Sequence, residues 1–131
     1  MRFLGIDYGT KRVGLALSDD NGRLAFPRNI LKNTKDLVEE VKKICIEENI
    51  SGIVIGESLD FNGKPNPLMK DIGVFMENLK KENNIPLFLE PEFLTSHQAQ
   101  KIQGKNQLLD ASAAAIILQS FLDKKNNKNS L

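Results

Sequence analysis

Near the start of the chain, apolar residues alternate with small or polar ones in short runs. Phe3–Tyr8 and Val13–Ser18 flank the segment Gly9-Thr10-Lys11-Arg12, a connection short enough for a hairpin. A second turn signal, Asp19-Asp20-Asn21-Gly22, precedes Arg23–Leu31. Pro27 in that run points to an edge strand, because proline cannot donate to a ladder. Together these runs predict an antiparallel meander. The period then changes. Behind Asn33 or Thr34 as N-cap, Leu37, Val38, Val41, Ile44 and Cys45 recur at helical spacing, with Glu39, Glu40, Lys42 and Lys43 between them.

The run Gly52–Glu57 is continuously apolar up to its last residue, the pattern of a strand covered on both faces. A loop through Gly63 and Pro65 leads to a second helix with Leu68, Ile72, Phe75 and Leu79 on one face, and Ile85–Glu90 reads as another buried strand. Thr95 and Gln98 have capping-box spacing and predict a third helix that Gly104 ends. A last helix runs from Leu109 or Asp110 to Leu122, apolar nearly all round, and residues 125–131 read as a disordered tail. The expectation is one domain over residues 1–124. Its fold class is α/β, a five-stranded mixed sheet of three antiparallel strands and then two parallel ones, flanked by helices. Right-handed crossovers bring the two later strands beside the first. Asp7 then lies in the central strand, at the end where open sheets bind ligands.

Bulk composition narrows the class without choosing a function. The chain has 131 residues, 40% hydrophobic and 27% charged, enough for one core without disulfides or metal staples. The formal net charge of +1 shows no strongly basic nucleic-acid footprint, yet an acidic metal site offset by lysines elsewhere gives the same total. The single cysteine, Cys45, has no partner for a disulfide and reads as a core thiol on the first helix. No apolar run reaches the ~20 residues of a membrane span, so the expected location is the cytoplasm and no membrane partner is expected.

The carboxylates change the picture. Besides Asp7, Glu57 ends one buried run, Glu90 and Glu92 end another, and Asp110 opens the last helix. Several acids at one end of a sheet repel one another and are costly to desolvate unless a cation compensates. Oxygen donors of this kind suit Mg²⁺ or Mn²⁺. Two such ions ~3.5–4 Å apart activate a water and stabilise the leaving oxygen of a phosphodiester.

The segment "GIDYGTKRVGLALSD" resembles the opening motif of the YqgF (RuvX) family, whose members are named as Holliday-junction resolvases and pre-16S rRNA nucleases. The resemblance extends through the "VIG" strand and "EFLTS" to "LDASAAAIILQSFL". It implies an RNase H-like fold and metal-dependent phosphodiester hydrolysis, with pre-rRNA as the expected substrate and branched DNA as the alternative. It also implies that Asp7 and Asp110 are the family's first-strand and last-helix aspartates. The family's usual Asp-Glu-Arg triplet is here Pro91, Glu92 and Phe93, so the glutamate is kept while the neighbouring acid and arginine are absent. Its usual Gly-Leu-Pro is here Gly56, Glu57 and Ser58. Many RNase H-like nucleases carry a metal-binding acid at that strand end. The expected catalytic set is therefore Asp7, Glu57, Glu92 and Asp110. Asp7, Glu57 and Asp110 are the metal ligands, and Glu92 shares the site or lies behind it.

Lys11 and Arg12 follow Asp7 and are expected to contact phosphates, with Thr95 as a helix cap near the substrate. Lys64, Lys101 and Lys105 extend that track or are ordinary surface charges. His97 lacks an evident catalytic partner, and Asp60 and Asn62 beside Gly63 read as turn residues. Phe3, Phe26 and Phe75 read as core, Phe61 as a residue that stacks on a base, and Phe93 fits either role. Two rival functions stand beside the nuclease. "GIDYGT" is also similar to the first phosphate loop of actin-like ATPases and sugar kinases, which enclose nucleotide between two lobes. The altered segment around Glu92 also suits a degraded site in an RNA-binding or ribosome-assembly module. A junction resolvase works as a homodimer, whereas the other readings allow a monomer.

Overall fold

The computed structural model describes residues 1–59, 62–64, 67–92 and 107–129. Strands β1 (Phe3–Tyr8), β2 (Arg12–Ser18) and β3 (Ala25–Lys32) precede helix α1 (Leu37–Glu47). Strand β4 (Gly52–Ser58), helix α2 (Met69–Glu82), strand β5 (Leu87–Glu92) and helix α3 (Gln107–Asn129) follow. The five strands form one sheet in the order β3-β2-β1-β4-β5. β1 pairs antiparallel with β2 and parallel with β4, while β4 pairs parallel with β5. The meander and the two later strands thus assemble as the patterning implies, with β1 in the centre.

Strand alternation separates two cores. Leu4 and Ile6 of β1, Val13 and Leu15 of β2, and Ile53 and Ile55 of β4 share one face. That face packs against Leu37, Val41, Ile44 and Cys45 of α1 and Ile72, Phe75 and Leu79 of α2. On the other face Phe3, Ala16 and Val54 pack against Ala114, Ile117, Leu118 and Leu122 of α3. Helix α3 touches all five strands. It runs antiparallel to β1, since Phe3 meets Phe121 while Gly5 meets Leu118 and Ala114. A Cβ at Gly5 would sit 2.7 Å from the Cβ of Leu118, inside contact distance, so the helix can lie this close only over glycine.

Four expectations need correction. Strand β5 extends to Glu92, two residues beyond the predicted end, and includes Pro91. As an edge strand it can accommodate a residue without an N–H. The segment read as a disordered tail is helical as far as Asn129. Lys124 pairs with Glu90, the Lys125 ammonium lies over the Phe3 ring, and Asn126 Nδ2 donates to the carbonyl of Gly22, 3.1 Å away. Phe26, read as core, is 53% exposed because β3 is the other edge strand. The N-cap of α1 is Asp36 rather than Asn33 or Thr34. Thr34 instead turns the chain into the helix, its Oγ1 accepting from Asp36 N and its carbonyl from Leu37 N. Phe3, Phe75 and Cys45 are buried as expected. No helix among the described residues is long and apolar enough to cross a membrane.

Candidate functional site

Asp7 occupies the next-to-last position of β1 and is partly buried. It alternates in phase with Phe3 and Gly5, and so belongs to the face covered by α3. Its cross-strand partner on β2 is Gly14. On the other side the register runs Gly5 with Val54 and Ile6 with Ile55, and the next residues in line are Asp7 and Gly56. Glycine at these positions adds no Cβ on the two neighbouring strands next to the carboxylate.

The phase of the strands separates the other acids. Glu57 follows Ile53 and Ile55 at intervals of two, so it belongs to the α1–α2 face, opposite that of Asp7. The structure therefore does not bring Glu57, expected as the middle metal ligand, to the face of Asp7. Strand alternation sends successive residues to opposite sides, and Glu57 is one step out of phase. Position 92 is in phase with Phe88 and Glu90 and stands level with Ser58. That is the α3 side of the sheet, because Glu90 is bound there by the helix. Asp110 lies in the first turn of α3, four residues before Ala114 and eight before Leu118, the positions that pack on Gly5. The side chains of Glu92 and Asp110 lie outside the described part of the molecule. Among the described residues, no three His, Cys, Asp or Glu side chains converge on one point.

What fixes α3 on the sheet is visible at both edges. On β5, Glu90 is 4% exposed, and its Oε2 accepts from Ser120 Oγ at 2.8 Å and Lys124 Nζ at 2.6 Å. A buried carboxylate needs such partners to offset its lost hydration. At the opposite edge Gln119 Oε1 accepts from Ala25 N, and Gln119 Nε2 donates to the carbonyl of Arg23, both at 2.8 Å. These clamps set the axial position of the helix and hence of its first turn. Sequence reasoning grouped Glu90 with the strand-end acids and passed over Gln119, because only the register reveals that both face α3.

The β1–β2 turn is held as firmly. Asn33 Nδ2 donates to the carbonyl of Gly9 at 2.7 Å, and Asn33 N donates to the carbonyl of Lys11 at 2.9 Å. A Cβ at Gly9 would lie 2.5 Å from the Arg12 carbonyl oxygen, so only glycine closes this turn. Lys11 and Arg12 are exposed on it. Two other residues of the opening motif prove structural. Buried Ser18 accepts a hydrogen bond from Phe3 N at 2.8 Å through its Oγ. Asp19 Oδ1 accepts from Arg23 N and Leu24 N, and these backbone donors hold its carboxyl below the usual range. Lys64 is exposed. Thr95, with His97, Lys101, Lys105, Asp60, Phe61 and Phe93, lies outside the described residues.

Comparison with known proteins agrees with this architecture. Residues 1–124 match the family described as "RuvX: Holliday junction resolvase". A protein of Nitratidesulfovibrio vulgaris strain Miyazaki F, named "Putative pre-16S rRNA nuclease", is 38% identical over 94% of both chains. One of the same name from Thermoanaerobacter pseudethanolicus is 34% identical over 98% of this chain and 100% of its own. Among solved structures, Thermus thermophilus RuvC in complex with a Holliday junction superposes with a TM-score of 0.62, at 16% identity and 95% coverage of each chain. The fowlpox virus Holliday junction resolvase gives 0.57, at 18% identity, covering 95% of this chain and 99% of its own. These two likenesses show the fold, the RNase H-like arrangement of the resolvases.

Proposed function

This chain belongs to the RuvX family, and from that membership and the acidic face of its sheet we propose that it is a divalent-metal-dependent endonuclease acting on pre-16S rRNA. The observation that carries the reading is the shared phase of positions 7 and 92 on the face covered by α3, whose first turn contains Asp110. The all-oxygen donor set, with glycine on both sides of Asp7, fits a hard cation. Asp7, Glu92 and Asp110 would hold it, and Glu57 is left out on grounds of strand phase. Mg²⁺ or Mn²⁺, when bound, supplies a water of lowered pKa and neutralises charge on the scissile phosphate.

The chain's own side chains do the rest. Lys11 and Arg12, on a turn braced by Asn33, grip the backbone phosphate next to the one being cut. Asp7, an anion, would hold the cation at the centre of the sheet, and the phosphate would approach that cation rather than the carboxylate. The full-length relatives named for pre-16S rRNA support a ribosome precursor as substrate and the cytoplasm as the place of action. The family's description favours a second reading, resolution of four-way DNA junctions, which calls for two copies of the site.

The test is cleavage of a labelled 16S rRNA precursor and a labelled four-way DNA junction with Mg²⁺, Mn²⁺ or chelator, alongside Asp7→Asn. Metal-dependent cleavage of the RNA, reduced at least about a hundredfold in the variant, is the expected result. Cleavage of the junction alone would transfer the assignment to DNA. RNA bound in chelator but never cut would make this an RNA-binding assembly module.

A further inference from the structure

A cavity opens at the same end of the sheet as Asp7 but on the opposite face. It encloses about 240 Å³ between the starts of α1 and α2. That is below the ~300–1,000 Å³ of sites for drug-sized ligands. Its floor includes Tyr8, whose ring lies 5.1 Å from that of buried Phe75. Val74, exposed in the middle of α2, lines it as well. The rim is polar: Lys35 on the α1 side, Asp71 and Asn78 on the α2 side. All three are exposed, and their side chains make no hydrogen bond or ion pair among the described residues.

An aromatic and apolar floor, an acceptor and an amide on one wall, and a single cation on the other match one ring system attached to a phosphate. Unpaired bases are recognised in this way, by contact with aromatic faces and by hydrogen bonds along an exposed edge. The placement is also apt. Tyr8 directly follows Asp7, and Asn33, which lines the pocket, braces the turn that carries Lys11. A base in the pocket and a phosphate at Asp7 would therefore belong to neighbouring nucleotides.

We propose that the pocket of Tyr8, Val74 and Asp71 receives one unpaired nucleobase that offers an amino group, cytosine in the simplest case. Asp71 accepts from that amino group, Asn78 pairs with the adjoining edge, and Lys35 meets the nucleotide's phosphate. The inference rests on the nucleic-acid part of the reading above and extends it to a subsite that selects single-stranded substrate.

The experiment measures binding of fluorescein-labelled oligo(C), oligo(U) and an abasic oligomer of equal length, in EDTA, to the Asp7→Asn protein, so that cleavage plays no part. Oligo(C) should bind roughly tenfold more tightly than the abasic strand and several-fold more tightly than oligo(U). Val74→Glu, at an exposed position that leaves the core intact, should cost oligo(C) roughly tenfold, and Asp71→Asn should erase the preference over oligo(U). Equal binding of oligo(C) and the abasic strand, or variants that bind as the parent does, would overturn the proposal. Failure of the nuclease reading appears elsewhere, as absent cleavage by the wild-type chain in the metal assay, and leaves this result standing.

Discussion

The two faces of one sheet are built from different materials. Under α1 and α2 the residues are large and aliphatic: Leu4, Ile6, Leu15, Ile53 and Ile55, all completely buried. Under α3, Phe3 and Val54 are the large residues of the central strands, while Gly5, Gly14, Ala16 and Gly56 present little or no side chain, with Ala114 and Leu118 packed on Gly5. A face of large side chains maximises apolar burial, about 25 cal/mol for each Å² removed from water. A face of small ones forgoes part of that gain. In return the helix comes close to the backbone and leaves space beside a carboxylate. The first face holds the domain together, and the second is shaped around Asp7.

Three measurements would break or sharpen this contrast. The largest effect belongs to the acids. Glu92→Gln should lower metal-dependent cleavage at least about a hundredfold, while Glu57→Gln should stay within about threefold of wild type. The reverse order would move the chemistry to the aliphatic face and dissolve the contrast. Next comes packing. Gly5→Val drives a branched side chain into Leu118, 2.7 Å from where its Cβ would stand, and should lower the unfolding free energy in urea by about 3 kcal/mol. Ile53→Val on the other face removes one methylene and should cost about 1 kcal/mol. Similar losses at both sites would mean that α3 is free to yield.

The third measurement is a pH dependence confined to the aliphatic face. Burial pushes the Cys45 thiol up from 9.0 to about 11. Between those values the unfolded chain has released this proton and the folded chain has not, so stability falls as pH rises through that window. The contribution is complete below pH 9 and amounts to at most about 3 kcal/mol. Chemical denaturation of wild type and Cys45→Ala across this range should show the gap between them narrowing as pH rises. A constant gap would mean that the thiol is not shielded in the native state.

Much of the architecture can be read directly from residue patterns. Alternation in β1 and β2, helical spacing in α1 and α2 and short turns between the first strands follow from local preferences, and crossover handedness then sets the strand order. The misreadings have a common origin in facts that only the assembled sheet supplies. The strand read as ending at Glu90 runs on through Pro91 to Glu92, which an edge position allows. Phe26 counted as core until its strand proved to be the other edge. Choosing between Glu57 and Glu92 requires the phase of β4 and β5 relative to Asp7, which depends on pairing between strands far apart in the chain. Asp7 itself was legible because a carboxylate within an apolar run is expensive wherever that run ends up. The anchoring of α3 by Glu90 and Gln119 was not, since an acid or an amide shows nothing of its partner thirty or ninety positions away.

The antiparallel course of α3 over β1 also has a bearing on biosynthesis. The first strand made is covered by the last helix described, and Asp110 stands in the first turn of that helix. Contacts this distant in sequence form late, because the intervening chain must be ordered before they reward its closure. While the ribosome is still adding α3, the nascent sheet has one face exposed and Asp110 has not yet come to β1. On the proposed reading, an endonuclease built in this way would stay unarmed beside the RNA of the machine producing it until the helix that completes its fold has emerged.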